Sequence, residues 1–107
     1  MKLMQTTKEM EREQRLWSQV GARLKIARKA SLLSQAEMAK KLGISRARWS
    51  MYELGKRPIR MTTLKDAVEL TSVTWGFVIY GDELDVAKDV RSRMRQARQL
   101  EYLGDGG

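Results

Sequence analysis

The 107-residue chain contains no cysteine and no histidine. The first absence excludes a disulfide framework, a thiol nucleophile and a cysteine-bearing zinc finger. The second excludes an imidazole general base and a histidine-dependent triad. Carboxylates, Lys, Ser and Tyr remain, and in a small basic domain they make an enzyme a poor expectation; no cofactor or metal is expected either. Long apolar runs are also missing. No stretch approaches the roughly 18 apolar residues of a membrane span, and the first residues, Met1 to Glu9, lack the apolar core of a signal peptide. A cytoplasmic protein without a membrane partner is the expectation. Proline occurs once, at Pro58, so little interrupts helices.

Basic residues are abundant. The formal charge is +8, from 21 Lys and Arg against 13 Asp and Glu. Residues 20–82 hold twelve basic and five acidic side chains, residues 1–19 four and three, and residues 83–107 five and five. The excess therefore sits in the middle segment. A positive face concentrated on one domain attracts polyanions, although a solvated surface has the same composition.

Apolar spacing and capping residues predict an all-α chain. Thr6-Thr7-Lys8-Glu9 has the form of a capping box, so a helix is expected from about Thr7. Leu16, Val20, Leu24 and Ala27 recur at helical spacing, with Gly21 leaving open one long helix or two stacked ones. Ser34 and Glu37 form a second box, opening a helix over 34–42 that Gly43 ends. Ser45 caps a helix that Gly55 ends, and Lys56-Arg57-Pro58-Ile59-Arg60 is a basic loop. Thr62 or Thr63 starts a fourth helix and Thr74 a fifth, which Gly81-Asp82 breaks. A last helix is expected from Glu83 to Leu103, with a disordered Gly-Asp-Gly-Gly tail.

Two short helices joined by a turn at Gly43 form a helix-turn-helix, whose second helix enters a major groove. If Trp49 and Tyr52 point inward, the helical period turns Arg46, Ala47, Ser50, Met51 and Leu54 outward, with Arg48 on the flank. Trp49, Tyr52, Trp75 and Phe77 are expected in the core. Arg48, Lys56, Arg57 and Arg60, with Ser45 at the helix start, are candidate phosphate contacts, which give affinity without sequence information.

Residues 20–82 resemble the Cro and phage-repressor (XRE) helix-turn-helix family. The resemblance rests on Leu24 and Arg28, Leu33-Ser-Gln-Ala-Glu-Met-Ala, Gly43-Ile-Ser, Tyr52-Glu-Leu-Gly-Lys, Leu64 and Gly81-Asp82. It implies a five-helix, lambda-repressor-like domain with helices at 20–30, 34–42, 45–54, 62–71 and 74–80. It also implies a dimeric regulator of transcription in a prokaryotic cell or phage-infected host, with double-stranded DNA as partner. By resemblance, Gln35 binds a backbone phosphate and braces the recognition helix, as a helix N-terminus favours. Arg46, Ala47, Ser50 and Met51 match base-reading positions. Arg46 suits guanine O6 and N7, and Ala47 and Met51 suit a thymine methyl. Arg28 and Glu53 match an internal salt bridge that holds Arg28 near the phosphates. Trp49 departs from the family, which has a smaller aliphatic residue there; extra room or a shifted recognition helix must accommodate it.

Three segments are therefore expected: a helical extension (1–19), the DNA-binding domain (20–82), and a C-terminal helix and tail (83–107). Val86, Val90, Met94 and Ala97 form a thin apolar stripe that either packs back on the domain or forms the seam of a homodimer. Met10, Leu16 and Trp17 of the extension carry the same two alternatives. Arg91, Arg93, Arg95 and Arg98 around the stripe read as a solvated face or as flanking phosphate contacts. The leading expectation is a dimeric repressor on a pseudo-palindromic operator, its half-sites roughly 34 Å apart. A protein-interaction module is the alternative: an antitoxin-like protein that neutralises a partner protein and binds DNA to regulate itself.

Overall fold

Thr6 opens the molecule's first helix, its hydroxyl accepting the Glu9 N–H at 3.1 Å. The computed structural model describes residues 6–102, and every regular element among them is helical. In order these are α1 (Thr7–Ala30), α2 (Gln35–Leu42), α3 (Arg46–Glu53), α4 (Met61–Thr71), α5 (Trp75–Tyr80) and α6 (Lys88–Tyr102). None is long and apolar enough to cross a membrane. Leu103 and the glycine-rich tail expected to be disordered lie outside the described residues.

Gly21 does not break α1. The helix runs continuously through it, so the divide expected between residues 19 and 20 falls inside one element. The glycine is required by packing instead. A methyl group there would collide with the backbone carbonyls of Tyr52 and Glu53. Buried positions begin at Val20; before it, Trp17 packs partly against the core while Met10 and Leu16 stay exposed. That first half also braces the loop after α3, where Gln14 Nε2 donates to the Gly55 carbonyl at 3.0 Å.

α3, α4, α5 and α6 pack against α1, and α2 packs on α3 and α4. Val20, Leu24 and Ala27 form a core with Met38, Trp49, Leu64, Val68, Phe77 and Val78. Three expectations are corrected. α4 starts at Met61, earlier than Thr62 or Thr63, with Arg60 in the cap position and no side-chain cap bond; burial of Ile59 and Leu64 sets its register. Trp75 is 40% exposed, because Phe77 and Val78 occupy the inward positions of the short α5. The last helix starts at Lys88 instead of Glu83. Asp82 Oδ1 accepts the Leu84 N–H at 2.9 Å, and such a local side-chain turn competes with helix.

α6 also corrects the dimer seam. Val86, Val90, Met94 and Ala97 are all buried within the same chain, none more than 4% exposed. Of the two alternatives, the stripe takes the first: these four side chains close the core against α1 and are not free to meet a second copy. Charged side chains fasten it. Glu101 accepts from Lys25 and Lys29, each at 2.6 Å. Arg98 pairs with Glu83 at 2.8 Å and lies 5.9 Å over the Phe77 ring.

Candidate nucleic-acid interface

The Ser34 hydroxyl accepts the Glu37 N–H at 3.1 Å, and the Glu37 carboxylate accepts the Ser34 N–H at 2.9 Å, so α2 begins with a complete capping box. The Ser34 N–H and then its hydroxyl hold the Glu37 carboxyl below the usual carboxylate range. Gly43 ends α2 at φ 70°, a left-handed conformation that glycine adopts without a Cβ penalty. Two residues later Ser45 caps α3, accepting the Arg48 N–H at 3.1 Å. The fully buried Ala39 lets the helices approach, and its carbonyl accepts the Ile44 N–H at 3.0 Å.

α3 turns Trp49, Tyr52 and Glu53 inward. The two rings meet edge to face, their centroids 6.4 Å apart. Arg46, Ala47, Arg48, Met51 and Leu54 are exposed and Ser50 is half-buried. The outward face thus presents a guanidinium at its start, a small patch of methyl groups, and a hydroxyl. Lys56, Arg57 and Arg60 are exposed in the loop that follows. Among the described residues, none of Arg46, Arg48, Lys56, Arg57 and Arg60 has a hydrogen-bonded or ion-paired side chain. Five cations on and beside one helix, all without a protein counter-charge, suit an anionic ligand.

Behind this face lies a saturated polar network. Glu53 Oε2 accepts from Arg28 Nε and from Trp49 Nε1, both at 2.6 Å. Its Oε1 accepts from Gln35 Nε2 at 2.9 Å and from an Arg28 terminal nitrogen at 3.3 Å. The other terminal nitrogen of Arg28 donates to the Leu33 carbonyl at 2.8 Å. One carboxylate thereby joins α1, α2 and α3, and every donor aimed at it is accounted for.

Arg28 is 2% exposed, with all its guanidinium nitrogens engaged. It does not reach the surface, so it is removed from the candidate phosphate contacts. Gln35 is half-buried at the start of α2, held by Glu53. The sequence signal for the Trp49 bond to Glu53 is spacing: the two lie four residues apart on one helix, and the indole N–H needs a partner when buried.

Residues 19–74, more than half of the chain, match the family model described as a helix-turn-helix domain. No curated protein and no solved structure matches the chain.

Proposed function

The chain belongs to the helix-turn-helix domain family, a family of DNA-binding regulators, and from that premise we propose that it is a sequence-specific repressor acting as a homodimer. The observation that carries this reading is the outward face of α3 flanked by five unpaired cations. In the proposed complex α3 lies in a major groove. Arg46 donates to guanine O6 and N7, Ala47 and Met51 pack on thymine methyl groups, and Ser50 bonds a base edge. Gln35, Ser45, Arg48, Lys56, Arg57 and Arg60 hold phosphates and set the register. Residues 20–82 act as the DNA-binding unit, the first half of α1 steadies its α3–α4 loop, and α6 closes its back. Occupancy of a promoter by the dimer excludes the polymerase.

With the α6 stripe buried, the dimer needs another surface, and α5 supports one. Trp75, Gly76, Ile79 and Tyr80 share an arc of the helix; Trp75 is exposed, and Tyr80 and Leu84 are more than four-fifths exposed. Among the described residues, and outside the helix's own backbone, a Cβ on Gly76 would meet nothing closer than 3.8 Å. The chain's own packing does not require that glycine, whereas a crossing helix backbone would. Aromatic anchors around a close approach are what a small interface needs.

The test is a mobility shift on the DNA upstream of the protein's own gene, against random competitor and across a salt series. A discrete complex that survives competitor and gives a two-fold symmetric footprint is expected. Smearing that vanishes equally on all sequences as salt rises would leave only polyanion attraction and overturn the reading.

A further inference from the structure

We propose that Trp49 is a specificity-determining positioning residue: its indole is a wedge that sets the tilt of α3 about a pivot at the C-terminal end of that helix. The inference rests on the DNA-binding reading above and adds which residue decides where Arg46 and Ala47 reach.

The pivot is steric. At Gly21, α1 lies so close to the carbonyls of Tyr52 and Glu53 that a methyl group does not fit. At Gly55, two residues beyond the end of α3, a Cβ would collide with the backbone of Ser18. These contacts are backbone against α1, so no side-chain rotation relieves them. The last turn of α3 and the residues just after it are held against one stretch of α1.

The first turn is tied to α2 instead, through the Ile44 N–H bond to the Ala39 carbonyl at 3.0 Å, and sends no side chain of its own into the core. Arg46, Ala47 and Arg48 are exposed, and the first side chain of the helix to enter the core is Trp49, the largest fully buried side chain among the described residues. Its ring cannot swing aside. The N–H is bound to Glu53 at 2.6 Å, and Glu53 is tied to Arg28 of α1 and Gln35 of α2. Tyr52 meets the ring edge to face. The bulk of the indole thus determines how far the N-terminal half of α3 stands off from the core. Arg46 lies about 10 Å along the helix axis from Glu53. A tilt about the pivot moves Arg46 and Ala47 most, Met51 less, and Lys56 and Arg57 least. The residue at position 49 therefore acts on the bases read at the start of α3 and spares the phosphate contacts beyond its end.

Two substitutions separate bulk from hydrogen bonding. Trp49→Leu removes much of the wedge; Trp49→Phe keeps an aromatic ring and removes the N–H. Because the chain has no cysteine, spin labels can be placed at Ala22→Cys with Ala47→Cys, and at Ala22→Cys with Leu54→Cys, without further changes. Trp49→Leu is expected to shorten the first distance and leave the second unchanged, and Trp49→Phe to preserve both. In binding-site selection from random duplexes, Trp49→Leu is expected to change base preference about tenfold at the pairs under Arg46 and Ala47. Preference under Met51 and the salt slope should be retained. Trp49→Phe should select the wild-type site. If Trp49→Leu does not fold, Trp49→Met replaces it, since methionine fills irregular gaps. Unmoved label distances, or equal weakening on every sequence, would make Trp49 a core filler and overturn the inference. Wild-type protein that selects no sequence would overturn the DNA-binding reading instead, and the label distances, which need no DNA, would still decide the wedge.

Discussion

Arg46 is exposed at the start of α3 and Glu53 is buried at its end, and their substitutions should fail in different ways. Glu53→Ala leaves Arg28 buried without its counter-charge and strips a partner from Trp49 and Gln35. Breaking a buried pair from one side costs about 3–5 kcal/mol. Urea denaturation should show that loss with no DNA present. Arg46 is exposed and unpaired, so Arg46→Ala should leave the unfolding curve unchanged. Its expected effect is a loss of about 1–3 kcal/mol of discrimination at one base pair. Lys56→Ala should instead weaken all duplexes alike and lower the salt slope by about one. A salt series on operator and random DNA distinguishes the two. Equal loss on both sequences for Arg46→Ala would remove it from the base-reading set.

At the scale of elements, the sequence is legible where structure is local. Ser34 with Glu37, Ser45, Thr74, Gly43 and Gly81 mark helix ends through contacts within four residues, and each cap is formed. The inward turn of Trp49 and Tyr52 follows from the helical period alone. What the period does not carry is the identity of the neighbour. The stripe Val86, Val90, Met94 and Ala97 reads the same whether it faces α1 or a second chain. Trp75 looks apolar enough for the core, yet α5 has room inward only for Phe77 and Val78. Arg28 carries a charge that suits phosphate, and only the position of Glu53, 25 residues away, shows it to be buried. The neighbour found for α6 has a pH signature. Lys25 first, then Lys29, hold the Glu101 carboxyl down at about 2, well below its ordinary value of 4.5. Because the folded value lies below the unfolded one, this clamp is complete above about pH 4.5 and fades as pH falls toward 2. The Glu101 side chain is 37% exposed, so solvent screening limits the effect to about 1 kcal/mol or less. Hydrogen exchange should show α6 losing protection over that pH window in the wild type. Glu101→Gln should start lower and show no such dependence.

At the scale of the whole molecule, two glycines make opposite predictions, and together they test how two copies meet. Alanine favours helix over glycine by roughly 0.5–1 kcal/mol in an open interior position. At Gly21 that gain is overridden, because the added methyl strikes the α3 backbone. Gly21→Ala should therefore destabilise the monomer by about 1–3 kcal/mol, as overpacking does. At Gly76 nothing among the described residues, outside the helix's own backbone, lies closer than 3.8 Å to the added carbon, so Gly76→Ala should stabilise the isolated fold. If a second α5 crosses there, the same methyl holds the two backbones apart. Gly76→Ala should then raise the urea midpoint at concentrations where the protein is monomeric, yet shift sedimentation toward the monomer at higher concentration. Operator binding should follow the loss of dimer, with half-saturation moving to higher protein concentration while Arg46 keeps its base preference. Tyr80→Glu, at the exposed end of the same arc, should reproduce the dissociation by placing a charge in the interface. Mutation of the buried α6 stripe, by contrast, should unfold the chain before it separates copies. A Gly76→Ala protein that dimerises like the wild type would move the contact away from α5 and leave the first half of α1, with Met10 and Leu16 exposed, as the next surface to mutate.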